Sequence, residues 1–465
     1  MDVFGRSIPK VIPLELSGNQ FEIYSKFAHN YTHSFLFESL TGPEELAETS
    51  IMGFDPSIIV KGYSDKVILH YKDGTKKTIN TNDPITALKQ LLEKISDQSY
   101  RYLGGAVGVI NYDAVALWEK VPQSHTMDMP LMEFWIYEDG ILYDNKQKKS
   151  FYFYYNENRI NEIKISENKF GDFQISEISN NLDEAKFTKI VNKAKKYIHD
   201  GDIFQVVLSR RFNFEAHGDH LKVYKILRKM NPSPYLYHMK MNDRIIIGAS
   251  PEMLLRVTGN KIETFPIAGT RKITDDETKN EELKQEMLND EKELAEHTML
   301  VDLGRNDIGR VCKYGSVHVE ELMKVKRFSH VQHMVTHVVG TLDEKFDMFD
   351  AFKAVFPAGT VSGAPKVRAM EIIDEQEPNS RGAYAGAVGY FSFNGCCDFA
   401  IAIRSIFLDG DKGFVQAGAG IVSDSIPENE LKETEHKAGA MIQALKEASK
   451  WNFSLSIIMT LLCII

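Results

Sequence analysis

Two acidic helix faces are the features of this sequence best suited to chemistry. Glu293 and Glu296 stand at i and i+3 in a helical segment near Glu291 to His297, so both side chains project from one face. Glu430, Glu433 and Lys437 repeat the pattern at i, i+3 and i+7 in a charged helical segment from about Asn429 to Ala448. Alone, such faces are usually solvated charge. Brought opposite each other they would suit Mg²⁺, which prefers hard oxygen ligands, keeps several waters and accepts a substrate oxygen. His297 directly follows Glu296, but one histidine beside two acids is a poor zinc pattern and reads as a packed or hydrogen-bonded residue.

Other residues admit two readings each. Glu252, after Ser250-Pro251, is a general acid if burial raises its pKa and otherwise a helix cap. Arg404 lies in the apolar run Ile401 to Phe407, read as a strand, where a cation is either ion-paired or holds an anion. Tyr384 and His333 could equally be core residues. Three glycine-bearing segments, Pro266 to Arg271, Phe356 to Lys366 and Gln416 to Gly420, read as turns whose backbone N–H groups could approach a carboxylate. In the middle one Pro365 interrupts the Gly-Lys-Ser/Thr of a phosphate loop, and Gly418-Ala419-Gly420 is half a dinucleotide fingerprint, so neither ATP nor a dinucleotide is expected.

These groups must be positioned by a large mixed fold. Runs such as Val67 to Tyr71, Phe134 to Tyr143 and Ser150 to Tyr155, with turn signals at Asp73-Gly74 and Asp139-Gly140, make residues 1–155 a β-rich region. The polar stretch 156–181 reads as a connection. From Leu182 helices enter, beginning with Lys186 to His199, and strands return at Phe204 to Leu208, Ile245 to Ile247 and Ile401 to Ile406. Residues 182–448 form the second region and 449–465 an apolar tail, whose uncharged run Ile457 to Ile465 is far short of the roughly 18 to 20 residues that span a bilayer. The class is α+β, with extensive antiparallel sheet flanked by helices.

Composition narrows the partners. With 43% hydrophobic and 26% charged residues the 465-residue chain is neither disordered nor a disulfide scaffold. A net charge of -10 argues against nucleic-acid binding and means that an anionic substrate needs a locally positive site or a metal. Cys312, Cys396, Cys397 and Cys463 show neither metal spacing nor a redox pair, and Met1 to Leu16 lacks a secretory pattern. The expectation is a cytoplasmic protein that does not enter a membrane.

Taken in order, Ser250-Pro251-Glu252, Pro266 to Arg271, Ala295-Glu296-His297 through Asp307, Phe356 to Lys366, Gly386-Ala387-Val388-Gly389-Tyr390 and Gln416 to Gly420 resemble the chorismate-utilising enzyme family across nearly all of Leu182 to Ala448. That family includes anthranilate, aminodeoxychorismate, isochorismate and salicylate synthases. The resemblance implies its two-lobed β-sandwich core. It also implies Mg²⁺ bound by Glu296 and Glu433, with Glu293 and Glu430 acting through water. Gly269 and Thr270 would contact the ring carboxylate, and Tyr384, Arg404, Gly418, Ala419 and Gly420 the enolpyruvyl carboxylate, with Lys437 close by. Glu252, His333 and Thr360 match the catalytic positions.

Within the family Gln205 stands where water-using members carry a lysine base, favouring ammonia as nucleophile. Ala268 stands where aminodeoxychorismate synthases carry lysine, favouring anthranilate formation, a lyase reaction of tryptophan biosynthesis. Aminodeoxychorismate synthesis for the folate pathway and a non-catalytic chorismate or tryptophan sensor are the alternatives. No segment resembles the cysteine-containing loop of a glutamine amidotransferase, so glutamine-derived ammonia would need a separate subunit. Phe35 to Ser39 and Asn231 to Leu236 resemble the tryptophan feedback site, through Ser39, Pro234, Tyr235 and Leu236. Phe37 replaces the usual leucine there, Leu236 the common methionine, and Glu48-Thr49-Ser50 the expected basic-aromatic segment.

Overall fold

The computed structural model describes residues 8–41, 48–92, 95, 99–125, 129–166, 170–328 and 331–462, with 451–462 described by backbone alone. Two large sheets form its frame. One runs from Lys10–Leu14 through Lys149–Tyr154, Asp139–Asp144, Thr49–Phe54, His33–Glu38, Tyr235–Met241, Arg244–Ser250, Ser405–Asp409 and Lys412–Ile421 to Gln205–Gly218. The other runs from Ile267–Lys272 through Val331–Thr341, Lys261–Thr264, Met253–Thr258, Cys397–Ile401, Ala387–Ser392, Gly105–Ile110, Met132–Tyr137 and Ile58–Gly62 to Lys66–Tyr71 and Lys76–Asn80. Neighbours pair antiparallel.

The local sequence explains where each strand sits. Gly105–Ile110 is apolar or small throughout, and Met132–Tyr137 is so but for Glu133, which pairs with Arg244; both are buried along their whole length, which suits central strands covered on both faces. Ile58–Gly62 alternates buried and half-buried residues, and Lys76–Asn80, with two lysines, is the exposed edge where charge discourages further pairing. The α+β class with extensive antiparallel sheet is thus observed.

The boundary at 156–181 divides the sequence, whereas both sheets combine strands from its two sides. That stretch also carries Phe173–Ile175 and Ser179–Asn180, which pair with Gln205–Gly218. Its polarity masked them because strands this short, at an exposed margin, need few apolar residues.

Two helices complete the site. Glu291–Gly309 starts at Asp290, whose carboxylate accepts from the Lys292 and Glu293 N–H groups at 3.0 and 3.2 Å and so places Glu293 in the first turn. Pro427–Leu462 buries Ala438, Met441, Ala444, Leu445 and Ala448 in one cluster with Leu221, Leu227, Val415 and Ala417. The alanines permit close approach to strand Lys412–Ile421, while burying Met441 and Leu445 stabilises the contact by about 1.5–3 kcal/mol each. No helix among the described residues is long and apolar enough to cross a membrane, and the last three residues of the apolar tail lie outside the described residues.

The chain passes between the sheets where chemistry was expected. Arg244–Ser250 lies in the first sheet and Met253–Thr258 in the second, with Pro251 and Glu252 at the crossing. Cys397–Ile401 and Ser405–Asp409 are likewise in different sheets. The reading of Ile401 to Phe407 as one strand is therefore corrected: Arg404 sits at the crossing, with φ 52. The apolar run is continuous because both strands are buried, so hydropathy alone hides the break. The Ile401 N–H donates to the Glu252 carbonyl and the Ala249 N–H to the Arg404 carbonyl, both at 3.1 Å, so the two crossings brace each other.

Candidate active site

A cavity of ≈ 720 Å³ lies between the sheets and under the two acidic helices. Strands Gln205–Gly218 and Lys412–Ile421 contribute Gln205, Val207, Gln416, Gly418 and Gly420, and the opposite sheet contributes Gly269, Thr270 and His333. Glu252 and Arg404 enter from the crossings, Thr360 and Tyr384 from neighbouring loops, and Glu293, Glu296, Glu430, Glu433 and Lys437 from the helices. Among the catalytic, substrate-binding and metal candidates only Ala419 is absent from the lining. Its side chain packs in the hydrophobic core, because successive strand residues face opposite sides and its neighbours Gly418 and Gly420 take the inner face.

Two of the expected turns are strand instead. Gln416 to Gly420 lies within Lys412–Ile421, and Ile267–Lys272 carries a register shift between Ala268 and Thr270 that lifts Gly269 out of the ladder. Gly269 has φ +67, and a Cβ there would meet Glu293 Oε2 at 2.4 Å. At Gly418 a Cβ would lie 2.9 Å from the Tyr384 hydroxyl and 2.8 Å from Val207. Both positions bring backbone to the cavity wall where a side chain would occupy ligand space.

Glu252 is buried, and desolvation pushes its carboxyl up to about 8 against the smaller downward pull of Thr360, Lys437 and Arg404. Thr360 stands beside that carboxyl, and among the described residues its buried hydroxyl has no regular hydrogen-bond partner. Glu252 is therefore a neutral acid at pH 7, and it caps no helix.

His333 Nδ1 lies 3.0 Å from the Gly269 carbonyl and 3.0 Å from Thr270 Oγ1. A carbonyl only accepts, so the ring proton sits on Nδ1 and Nε2 keeps its lone pair. Burial pushes the imidazole down to about 4 and keeps it neutral. The two groups can thus give and take a proton at the same pH.

Charge in the cavity is divided. Arg404 makes no ion pair among the described residues, and burial lowers its pKa below the ordinary range. Lys437 Nζ reaches Glu433 Oε1 at 2.6 Å and donates to the Gly418 carbonyl at 3.0 Å. Gln205 Nε2 donates to Glu296 Oε1 at 2.9 Å. Burial raises the Glu296 and Glu430 carboxyls, and neighbouring Glu433 pushes both further the same way.

Four carboxylates in one cavity, some held above their ordinary pKa, fit a hard divalent cation that takes one or two protein oxygens plus water. Among the described residues no group of three or more His, Cys, Asp or Glu side chains is gathered closely enough to hold a metal ion by protein ligands alone. His297 lies apart from the acids, with Nε2 2.6 Å from Thr336 Oγ1. Residue spacing did not disclose Arg271, whose Nη1 reaches Glu293 Oε1 at 2.5 Å, or the cavity residues Lys292 and His436. Arg271 meets Glu293 from another element, so no local pattern could have paired them.

A second, smaller cavity of ≈ 60 Å³ gathers Ser39, Pro234, Tyr235 and Leu236 with Arg101 and Asp398. The Tyr235 hydroxyl donates to Asp398 at 2.9 Å, while buried Ser39 Oγ has no partner among the described residues. Glu48, in the segment that departs from the expected basic-aromatic one, pairs with Arg101 at 3.1 Å.

Residues 32–443 match the family described as chorismate binding enzyme. Anthranilate synthase component 1 of Methanothermobacter thermautotrophicus is 43% identical over 431 residues, covering 92% of each chain. The protein of that name from Acetivibrio thermocellus is 43% identical, covering 90% of each. The crystal structure of anthranilate synthase component I from Streptococcus pneumoniae superposes with a TM-score of 0.77 at 38% identity, covering 86% of this chain and 93% of that one.

Proposed function

The chain belongs to the chorismate binding enzyme family, and from that premise we propose that it is the chorismate-converting subunit of an anthranilate synthase, forming anthranilate and pyruvate from chorismate and ammonia. One observation carries the reading furthest. Glu252, a carboxylic acid neutral at pH 7, shares its cavity with neutral His333 and with Gln205 at the position where a lysine base would activate water.

Chorismate is a dianion. Arg404, Tyr384, Lys437 and the Gly418 to Gly420 backbone hold its enolpyruvyl carboxylate, and Gly269 and Thr270 its ring carboxylate. Glu296 and Glu433 would hold Mg²⁺ directly, with Glu293 and Glu430 supporting it through water. The ion supplies Lewis-acid charge for the ring carboxylate.

Glu252 gives its proton to the departing ring hydroxyl, which leaves as water as ammonia forms the ring C–N bond. The new C–NH3⁺ group loses a proton, which restores the Glu252 carboxyl. His333 Nε2 then takes the ring proton as the enolpyruvyl C–O bond breaks, which aromatises the ring and releases the enolate of pyruvate; protonation of its methylene carbon gives pyruvate and returns His333 to its neutral form. Ala268 lines the cavity where lysine would favour the aminodeoxychorismate reaction. A separate glutamine amidotransferase subunit supplies the ammonia.

Tryptophan is the proposed feedback inhibitor at the smaller cavity, with the Ser39 hydroxyl, which has no partner among the described residues, as one of its contacts. At ≈ 60 Å³ that cavity must widen to admit an indole.

The test is direct. Purified chain with chorismate, Mg²⁺ and ammonium should give fluorescent anthranilate without any other protein. Accumulation of aminodeoxychorismate, or no conversion, overturns the assignment.

A further inference from the structure

A third cavity, of ≈ 700 Å³, lies along the same two strands as the catalytic one. On Gln205–Gly218 the catalytic cavity takes Gln205 and Val207, and the third takes Arg211 and Asn213. On Lys412–Ile421 the catalytic cavity takes Gln416 and Gly418, and the third takes Phe414. Between them lies a buried polar wall. Gln416 Nε2 donates to Ser209 Oγ at 2.8 Å, Ser209 donates to Glu377 at 2.8 Å, and Arg381 closes on Glu377 at 2.6 Å. The third cavity is thus separate from the reaction site while sharing its strands.

Arg211 gives this cavity its chemistry. Its guanidinium stacks on Phe414 at 4.0 Å and donates to the Gln416 side chain at 3.0 Å and to the Ser380 carbonyl at 2.6 Å. Among the described residues it pairs with no carboxylate; of the two whose charges act on it, Glu377 is already engaged by Arg381 and Ser209, and Asp113 accepts from the Gly382 N–H. Arg244, the other inner cation, is neutralised by Glu133. Glu177, Glu215 and Asp409 stand exposed at the rim, where solvent screens them. An unpaired guanidinium beside Phe414, Phe407 and Met241 suits an anion with an apolar body.

We propose that this cavity is a second ligand site, which takes an aromatic monocarboxylate on the Arg211–Phe414 platform. The proposal rests on the cavity alone and stands or falls independently of the chorismate reaction.

Binding of 4-fluorobenzoate to the full chain, followed by ¹⁹F NMR without magnesium, tests it. Saturable binding with Kd in the range of about 0.1–1 mM is expected, ordinary for a fragment of this size. Asn213→Trp fills the cavity without touching the wall and should weaken binding at least tenfold, and Arg211→Gln should do the same should the tryptophan variant fail to fold. Arg404→Gln, in the catalytic cavity, should bind as the native chain does. Absence of binding up to about 10 mM, equal binding by native, Asn213→Trp and Arg211→Gln chains, or loss only in Arg404→Gln overturns the proposal.

Discussion

Replacing Glu252 by glutamine should remove turnover and also flatten the protein's pH-dependent stability. The folded carboxyl titrates at about 8 against 4.5 for the same group in water, so the folded state binds its proton more tightly than the unfolded one. Stability from the protonated group is fully present below the unfolded value and is lost as pH rises through the folded one. Each pH unit in that window costs about 1.4 kcal/mol, which accumulates to about 3 kcal/mol by pH 7 and about 5 kcal/mol at pH 8 and above. Glutamine keeps the shape and has no proton to lose, so the variant gains on the native chain from pH 5 to 8. Its kcat should fall by about 100-fold or more, the loss expected of a general acid, while the KM for chorismate stays within about threefold. Urea denaturation at successive pH values measures the first effect and rapid-quench product analysis the second. Parallel stability curves for the two chains, or normal anthranilate formation by the variant, would refute the argument from burial.

His333→Met should let the amino-substituted intermediate accumulate, seen by quenching before anthranilate appears, because the first step does not need the imidazole. At constant free ammonia, native kcat/KM should fall below about pH 4 as His333 protonates and above about pH 8 as Glu252 ionises, read from a pH–rate profile. Gly418→Ala puts a methyl group 2.9 Å from the Tyr384 hydroxyl and 2.8 Å from Val207, and should raise the KM for chorismate about tenfold or more while costing about 1–3 kcal/mol of stability, read from steady-state kinetics and a melting curve. Ser39→Phe fills the smaller cavity and should abolish tryptophan inhibition while leaving uninhibited turnover intact, checked by inhibition titration.

The sequence by itself determined the class of the fold and the chemical types in the cavity. Alternation and apolar runs fix strands because a sheet buries alternate or all side chains. The i, i+3 acids fix a helix face because the helical period does so whatever surrounds it. Spacing could not say that Arg404 stands at a crossing between sheets, that Gln416 to Gly420 is strand rather than turn, or that Arg271 engages Glu293. Each depends on which strands become neighbours, a long-range choice absent from any local window. Tertiary structure alone also decided protonation. Glu252 and His333 carry ordinary side chains in the sequence, and only the low-dielectric space closed by two sheets makes one a neutral acid and the other a neutral base at the same pH.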